Sequence, residues 1–349
     1  MRKYNPRLIG LLLGLLLSFN LTAAEEVVLN PAHPDRYEVV RGDTLWDIAG
    51  RFLRDPWRWP DVWQANPQIA NPHLIYPGDI IELSYVDGRP RLTLKRGATV
   101  KLTPETRIEA LRQPIPAIPV DAIYPFLTRS YVIPPDWSRK HLAVAPYVVS
   151  FGEEHLLGSS GMKAYVVAIE SDAVRDFDLV RPGRPYRDAD TGEILGFEAR
   201  YVSQGELLRT GNPATLRLYN MQISASLGDR VIPVPDDRLL TTFHPRAPSR
   251  EINGSIISVL NGVTQIGQYN VVVVDRGAED GLQAGDVLTI NHRGAVIRNL
   301  VLGGQRERVK LPDEPAGKLM LFRTFPRVSF GLVMFATRSI HLKDRVVNP

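Results

Sequence analysis

Four tryptophans, Trp46, Trp57, Trp59 and Trp63, fall between two glycine turns, and this stretch constrains the chain more than any other. It runs from Tyr37 to Leu83. A strand is expected over Tyr37 to Val40, followed by a turn at Arg41, Gly42 and Asp43. Thr44 with Asp47 three places on is a helix-capping pair. Leu45, Ile48, Ala49, Phe52 and Leu53 then recur on one helical face. Asp55-Pro56 breaks that helix, because the residue before a proline is pushed out of helical backbone. A second helix is expected from about Pro60 to Asn66. Pro77-Gly78 turns the chain into a closing strand, Ile80 to Leu83. The expected order is strand, helix, helix, strand.

The opening GDTLW and the closing LIYPGD stand in order at a fitting separation. Tyr37, Val39, Gly42, Asp43, Thr44, Leu45, Trp46, Ile48 and Ala49 at the front, with Asn66, Leu74, Ile75, Pro77, Gly78 and Ile81 at the back, make the segment resemble a LysM module. RDPWRW lengthens the connection between the helices relative to the common form. The resemblance implies binding of N-acetylglucosamine-containing glycan, here peptidoglycan, in a shallow groove between two loops. It places Gly42, Asp43, Thr44 and Leu45 on one wall and Asn71, Leu74, Ile75 and Tyr76 on the other. An acetamido sugar offers amide and hydroxyl groups to backbone donors and acceptors, and its methyl group suits Leu45 or Ile75. Asp43 has a second, structural reading as a cap on the helix. Trp46 and Trp63 are expected where the helix faces meet. Trp57 and Trp59, in the longer connection, are read as core residues or as a stacking platform for sugar.

Ahead of this unit, Arg2, Lys3 and Arg7 precede a leucine-rich run from Leu8 to Phe19, with small residues up to Ala24. This pattern predicts a signal peptide over residues 1–24; the apolar run is shorter than the roughly 20 residues of a membrane span. With the leader removed, no stable transmembrane span is expected. The formal net charge is +4, and three of those charges lie in the leader, so the remainder is nearly neutral and gives no reason to expect a nucleic-acid partner. With no cysteine, the chain has no disulfide framework, thiol nucleophile or thiolate metal site. The resemblance and the leader together imply export, with a Gram-negative periplasm preferred.

Beyond the module the expectation is a multidomain α+β chain. Residues 25–36 are a linker, 37–86 the glycan-binding module, 87–146 a proline-rich connector, 147–245 a beta-rich domain and 250–349 a second beta-rich domain. RLTLKRGATVKL either extends the module's edge or begins the next domain. AYVVAIE, DLVRPGRPY, ILGFEARYV and LGDRVIP in the first beta-rich unit parallel NVVVVDRG, DVLTINHRG, KLMLFRTF and LKDRVVNP in the second. Duplication and chance recurrence of short strands are both open.

An enzyme is not expected. Glu153, Glu154 and His155 are adjacent, which points neighbouring strand residues to opposite faces. Asp188, Asp190 and Glu193 sit by a turn and suit solubility or turn hydrogen bonds. The seven histidines, His33, His73, His141, His155, His244, His292 and His341, form no sequence-local zinc pattern, though distant ones can converge in space. No catalytic, cofactor or metal residues are assigned. The expected function is non-catalytic binding of peptidoglycan that positions the protein at the cell wall. The alternatives are an envelope assembly adaptor acting through a protein partner, and a peptidoglycan hydrolase.

Overall fold

The computed structural model describes residues 27–63, 75–96, 115–119, 122–123, 126–127, 131–135, 146–152, 155–234, 243–260, 265–298 and 308–349. The expected leader, Asn66, Asn71, His73, Leu74, His141, Glu153 and Glu154 lie outside them.

The N-terminal unit has the expected order. β1 (Arg36–Glu38) leads to α1 (Leu45–Phe52), a 3-10 turn at Pro56–Arg58 and α2 (Trp59–Trp63), then to β2 (Ile80–Val86) and β3 (Arg89–Lys95). The capping pair is realised: the Asp47 amide donates to Thr44 Oγ1 and the Thr44 amide to the Asp47 carboxylate. β3 pairs with β2 along its whole length, so RLTLK extends the module's sheet. Residues assigned to the linker also pack on it, with the Asn30 amide donating to the Phe52 carbonyl. Ile48, Phe52, Trp59, Val62, Trp63, Ile75, Ile81 and Leu92 form its core. Trp59 and Trp63 meet edge to face at 6.4 Å.

Two beta-rich units follow, and they share one topology. The first contains β4 (Tyr131–Ile133), β5 (Tyr147–Phe151), β6 (Leu157–Gly158), β7 (Lys163–Val167), β8 (Asp176–Arg187), β9 (Ile194–Arg209), β10 (Ala214–Tyr219), β11 (Ala225–Ser226) and β12 (Arg230–Pro233). β10 pairs with both β7 and β9, which closes the ring β5-β7-β10-β9-β8-β12. β4 adds to the outside of β9, and β6 and β11 form a separate two-stranded ribbon. The second unit contains β13 (Asn253–Val259), β14 (Val271–Val274), β15 (Val287–His292), β16 (Val296–Arg298), β17 (Arg308–Lys310), β18 (Glu314–Thr324), β19 (Ser329–Ala336) and β20 (Arg345–Val347). Six of these close a barrel in the order β13-β14-β19-β18-β15-β20. Taken in chain order, the six barrel strands of each unit are connected identically. The four paired phrases of the sequence fall on matching strands, so the duplicated reading describes the architecture. Closure leaves neither barrel with an open edge.

One turn recurs through all three units. At Asp43, Asp79, Asp229, Asp286 and Asp344 the carboxylate accepts the amide of the residue three places back, whose carbonyl accepts the aspartate's own amide. The residue before each aspartate has positive φ: Gly42, Gly78, Gly228, Gly285 and, without the help of a missing Cβ, Lys343.

The units are joined by polar and apolar contacts. The β8–β9 turn reaches the second barrel, where Asp188 meets Arg276, Asp190 meets Arg293 and Arg345, and Glu193 takes both guanidinium nitrogens of Arg327. The module reaches the same barrel through Trp46, which packs in a cluster with Ile118, Ile123, Leu127, Leu332 and Met334 rather than in the module's own core. The expectation that Trp46 fills the helix interface is therefore corrected. Leu45, Ile48, Ala49 and Phe52 supply the face of α1 that packs in the module's core, and Trp46 belongs to the other cluster.

Candidate glycan groove

The two loops that would form the groove are both built on aspartate turns. Asp43 accepts from the Val40 amide at 2.9 Å and from Tyr37 Oη at 3.0 Å. Burial and this carboxylate raise the Tyr37 phenol above its ordinary range, and the Arg51 guanidinium lies over its ring at 4.4 Å. On the other side the Tyr76 amide donates to Asp79 at 3.0 Å, and the Asp79 carbonyl accepts from the Val39 amide. Each aspartate thus sets the backbone of its loop.

Between the loops stand three backbone groups. The amides of Leu45 and Trp46 belong to the first turn of α1, where no intrahelical acceptor exists. The third is the Ile75 carbonyl, in the second loop. All three are engaged by the chain itself: Leu45 donates to the Pro116 carbonyl at 3.0 Å, Trp46 to the Ala117 carbonyl at 3.2 Å, and Ile75 accepts from the Ile115 amide at 2.8 Å. Ile115 and Ala117 bury their side chains in the module's core, and Ile118 turns the other way into the cluster around Trp46. Pro116, with no amide to satisfy, is exposed between them.

The residues expected to touch glycan are placed as follows. Gly42 is exposed at φ +98°, as the turn requires. Asp43 and Thr44 are buried in capping roles. The Leu45 and Ile75 side chains are core residues, so only their backbone faces the groove. Tyr76 is half-buried, and Asn71 and Leu74 lie outside the described residues. Trp59 and Trp63 are core, and Trp57 packs against the Trp46 cluster with Lys318 Nζ 5.7 Å from its ring centroid. Two elements were not foreseen: the Trp46 amide as a second donor and the segment at residues 115–119 as its partner. The signal available was QPIPAIP, where prolines bracket Ile115 and the Ala117-Ile118 pair.

Among the described residues, the acidic residues weighed for catalysis, Asp188, Asp190 and Glu193, have structural partners. Asp188 accepts from the amides of Thr191 and Asp190, and these bonds with the Arg276 contact hold its carboxyl down at about 2. His155 is exposed, and among the described residues His292, His341 and Asp344 are the histidine-containing group that converges.

A LysM domain model matches residues 37–84. Residues 37–84 form a LysM domain. Over 60 residues the chain is 37% identical to Uncharacterized protein YqbP of Bacillus subtilis (strain 168), a match covering 14% of this chain and 27% of that protein. The chain therefore spans about a quarter of that relative's length. The LysM domain supports peptidoglycan as a binding partner and attachment at the cell wall. Among the described residues no helix is long and apolar enough to cross a membrane.

Proposed function

We propose that this protein binds the glycan of peptidoglycan without cleaving it, and so positions its two barrels at the wall of a Gram-negative periplasm. The observation that carries the reading is the set of backbone groups between the LysM loops. Leu45 N–H and Trp46 N–H donate on one side, and the Ile75 carbonyl accepts on the other. The partner they hold is an irregular peptide segment, whose carbonyls and N–H stand in for those of an acetamido group. An N-acetyl sugar offers the same acceptor and donor, and its hydroxyls add further partners at the rim. Gly42, Asp43, Thr44, Leu45, Asn71, Leu74, Ile75 and Tyr76 remain the proposed walls, with Asp43 and Thr44 acting through loop shape. A single shallow groove binds weakly, and the repeating wall supplies many copies of the epitope.

The test is a titration of the ¹⁵N-labelled full chain with chitotetraose. The Leu45, Trp46 and Ile75 amide signals should shift together and saturate. Saturable binding with shifts confined to the barrels would overturn the assignment. Incubation with purified wall fragments should leave their mass profile unchanged, and new fragments would overturn the non-catalytic part.

A second reading, an adaptor acting through a protein partner, is favoured by one observation. The module is already docked on the second barrel through Trp46, Lys318–Asp55 and Tyr269–Asp47. In that reading wall fragments leave the amide signals unmoved.

A further inference from the structure

We propose that the connector at residues 115–117 and the wall glycan compete for the same groove, so that the chain holds its own LysM domain closed until glycan displaces it. The inference rests on the glycan-binding reading above. The connector uses both donors and the acceptor that an acetamido group would need, at 3.0, 3.2 and 2.8 Å. Glycan and connector cannot occupy them together. Nor is the connector a casual neighbour, since Ile115 and Ala117 are 5% exposed and Ile118 is fully buried on the opposite side. Pro116 itself carries no N–H, so that residue adds no unsatisfied donor when the connector is displaced. Ile118 and Trp46 share one cluster, which links the connector to the joint between the module and the second barrel.

Each hydrogen bond of this kind shifts an equilibrium about fivefold. Three together, before packing is included, give a closed state favoured on the order of a hundredfold. Apparent affinity scales with the open fraction. Releasing the connector should therefore tighten glycan binding by about 10- to 100-fold.

The chain has no cysteine, so a single one reports on the connector alone. In the full chain carrying Ala117→Cys, maleimide labelling should be slow and should accelerate as chitotetraose is added. Labelling that is unchanged or slowed while chitotetraose binds would overturn the competition. The double substitution Ile115→Ser, Ala117→Asp removes the apolar anchors and leaves the groove backbone intact. It should bind chitotetraose at least tenfold more tightly than wild type. Equal affinity would overturn the competition and leave the glycan reading standing, whereas no binding by either chain would overturn both. If circular dichroism shows the double variant misfolded, the Ala117→Cys labelling decides.

A different observation, internal to the duplicated barrels, points to a metal site. Arg230 pairs with Val180 and Arg345 with Asn291, so Arg181 and His292 occupy matching positions, as do Asp229 and Asp344, and Ser226 and His341. In the first barrel the Arg181 guanidinium satisfies both Asp229 oxygens at 2.7 and 2.8 Å and also bonds Ser226 Oγ. In the second, imidazoles replace both the arginine and the serine. His292 Nδ1 lies 3.1 Å from Asp344 Oδ1, the His292 and His341 ring centroids are 5.3 Å apart, and one candidate ligand atom from each of the three residues lies within 4.8 Å of the others. The Arg293 and His341 amides also donate to the buried Asp344 carboxylate.

The geometry points to a divalent cation of the zinc class, held by His292, His341 and Asp344 where the first barrel places a guanidinium. Two imidazoles and a carboxylate suit such an ion. Tetrahedral zinc ligands lie about 3.3 Å apart, so the exposed His341 ring must swing inward on binding. Titration of the full chain with zinc chloride should give one site by calorimetry and raise the melting temperature. At a hundredfold excess of free ion over Kd the unfolding constant should fall about a hundredfold. His341→Ala, an exposed substitution, should lose both effects. An equal response in His341→Ala would mean an adventitious ion only, and no response in wild type would overturn the site.

Discussion

Truncating Trp46 should loosen the joint between the LysM domain and the second barrel without unfolding the domain. Trp46 is the second residue of α1 and is 4% exposed, yet its neighbours are Ile118, Ile123, Leu127 and barrel residues. Burying an indole removes about 150–250 Å² from water. At about 25 cal/mol per Å² this is worth about 4–6 kcal/mol, and truncations of buried tryptophan cost about 3–5 kcal/mol. The cost should fall on the joint, where the other stitches among the described residues include the Tyr269–Asp47 hydrogen bond at 3.4 Å, the Lys318–Asp55 pair and the packing of Trp57. Burial pushes the Asp55 carboxyl up, but the Lys318 bond and charge outweigh it and the net shift is downward. Hydrogen exchange followed by mass spectrometry separates the cases. Trp46→Ala should speed exchange around Ile118 and Leu260 while amides of Ile48 to Phe52 keep their protection. Trp63→Ala, which removes a core partner of Trp59, should expose those α1 amides. Equal loss of α1 protection in both variants would refute the placement of Trp46 in the joint.

Three further outcomes are expected. Acid should open the contact between the barrels, because Asp188 is held at about 2 by the Thr191 amide and lesser partners, Asp190 is lowered by Arg293, and Glu193 by Arg327. Depressed carboxyls stabilise fully above their unfolded range, and that contribution is lost as pH falls from about 4 toward 2; buried Asp275, shifted upward, offsets part of it. Small-angle scattering should show the chain extending in that window, and extension already complete at pH 6 would contradict the assignment. Thr44→Ala should cost about 1 kcal/mol in urea unfolding through loss of the cap, with Thr44→Ser close to wild type. Gly228→Ala should cost about 1–2 kcal/mol from backbone strain at φ +83°, since open space surrounds the added methyl; no loss of stability would mean the turn relaxes.

The parts of the fold that depend on local chemistry were visible in the sequence. Thr44 and Asp47 announce a cap, Gly42-Asp43 and Pro77-Gly78-Asp79 announce turns, and the apolar spacing from Leu45 to Leu53 announces a buried helix face. The duplication was legible as one of two open readings, because corresponding phrases kept both their order and their final DRV. The parts that depend on contacts far apart in sequence were hidden. Tyr131 to Ile133 lie in the stretch taken as connector, but pair with β9. The peptide segment in the groove forms its bonds across about seventy residues to Leu45 and Trp46 and about forty to Ile75. Trp46 looked like a core residue, and it is buried, but composition does not say in which core. His292 and His341 are far apart in the chain and meet only because the barrel closes β20 against β15.

The central claim is that residues 37–84 bind peptidoglycan, and co-sedimentation with purified sacculi tests it most directly. The full chain should pellet with the sacculi and be released by chitotetraose, while a chain lacking residues 1–96 should stay in the supernatant. Equal pelleting of the two chains, or pelleting that chitotetraose leaves unchanged, would contradict the account.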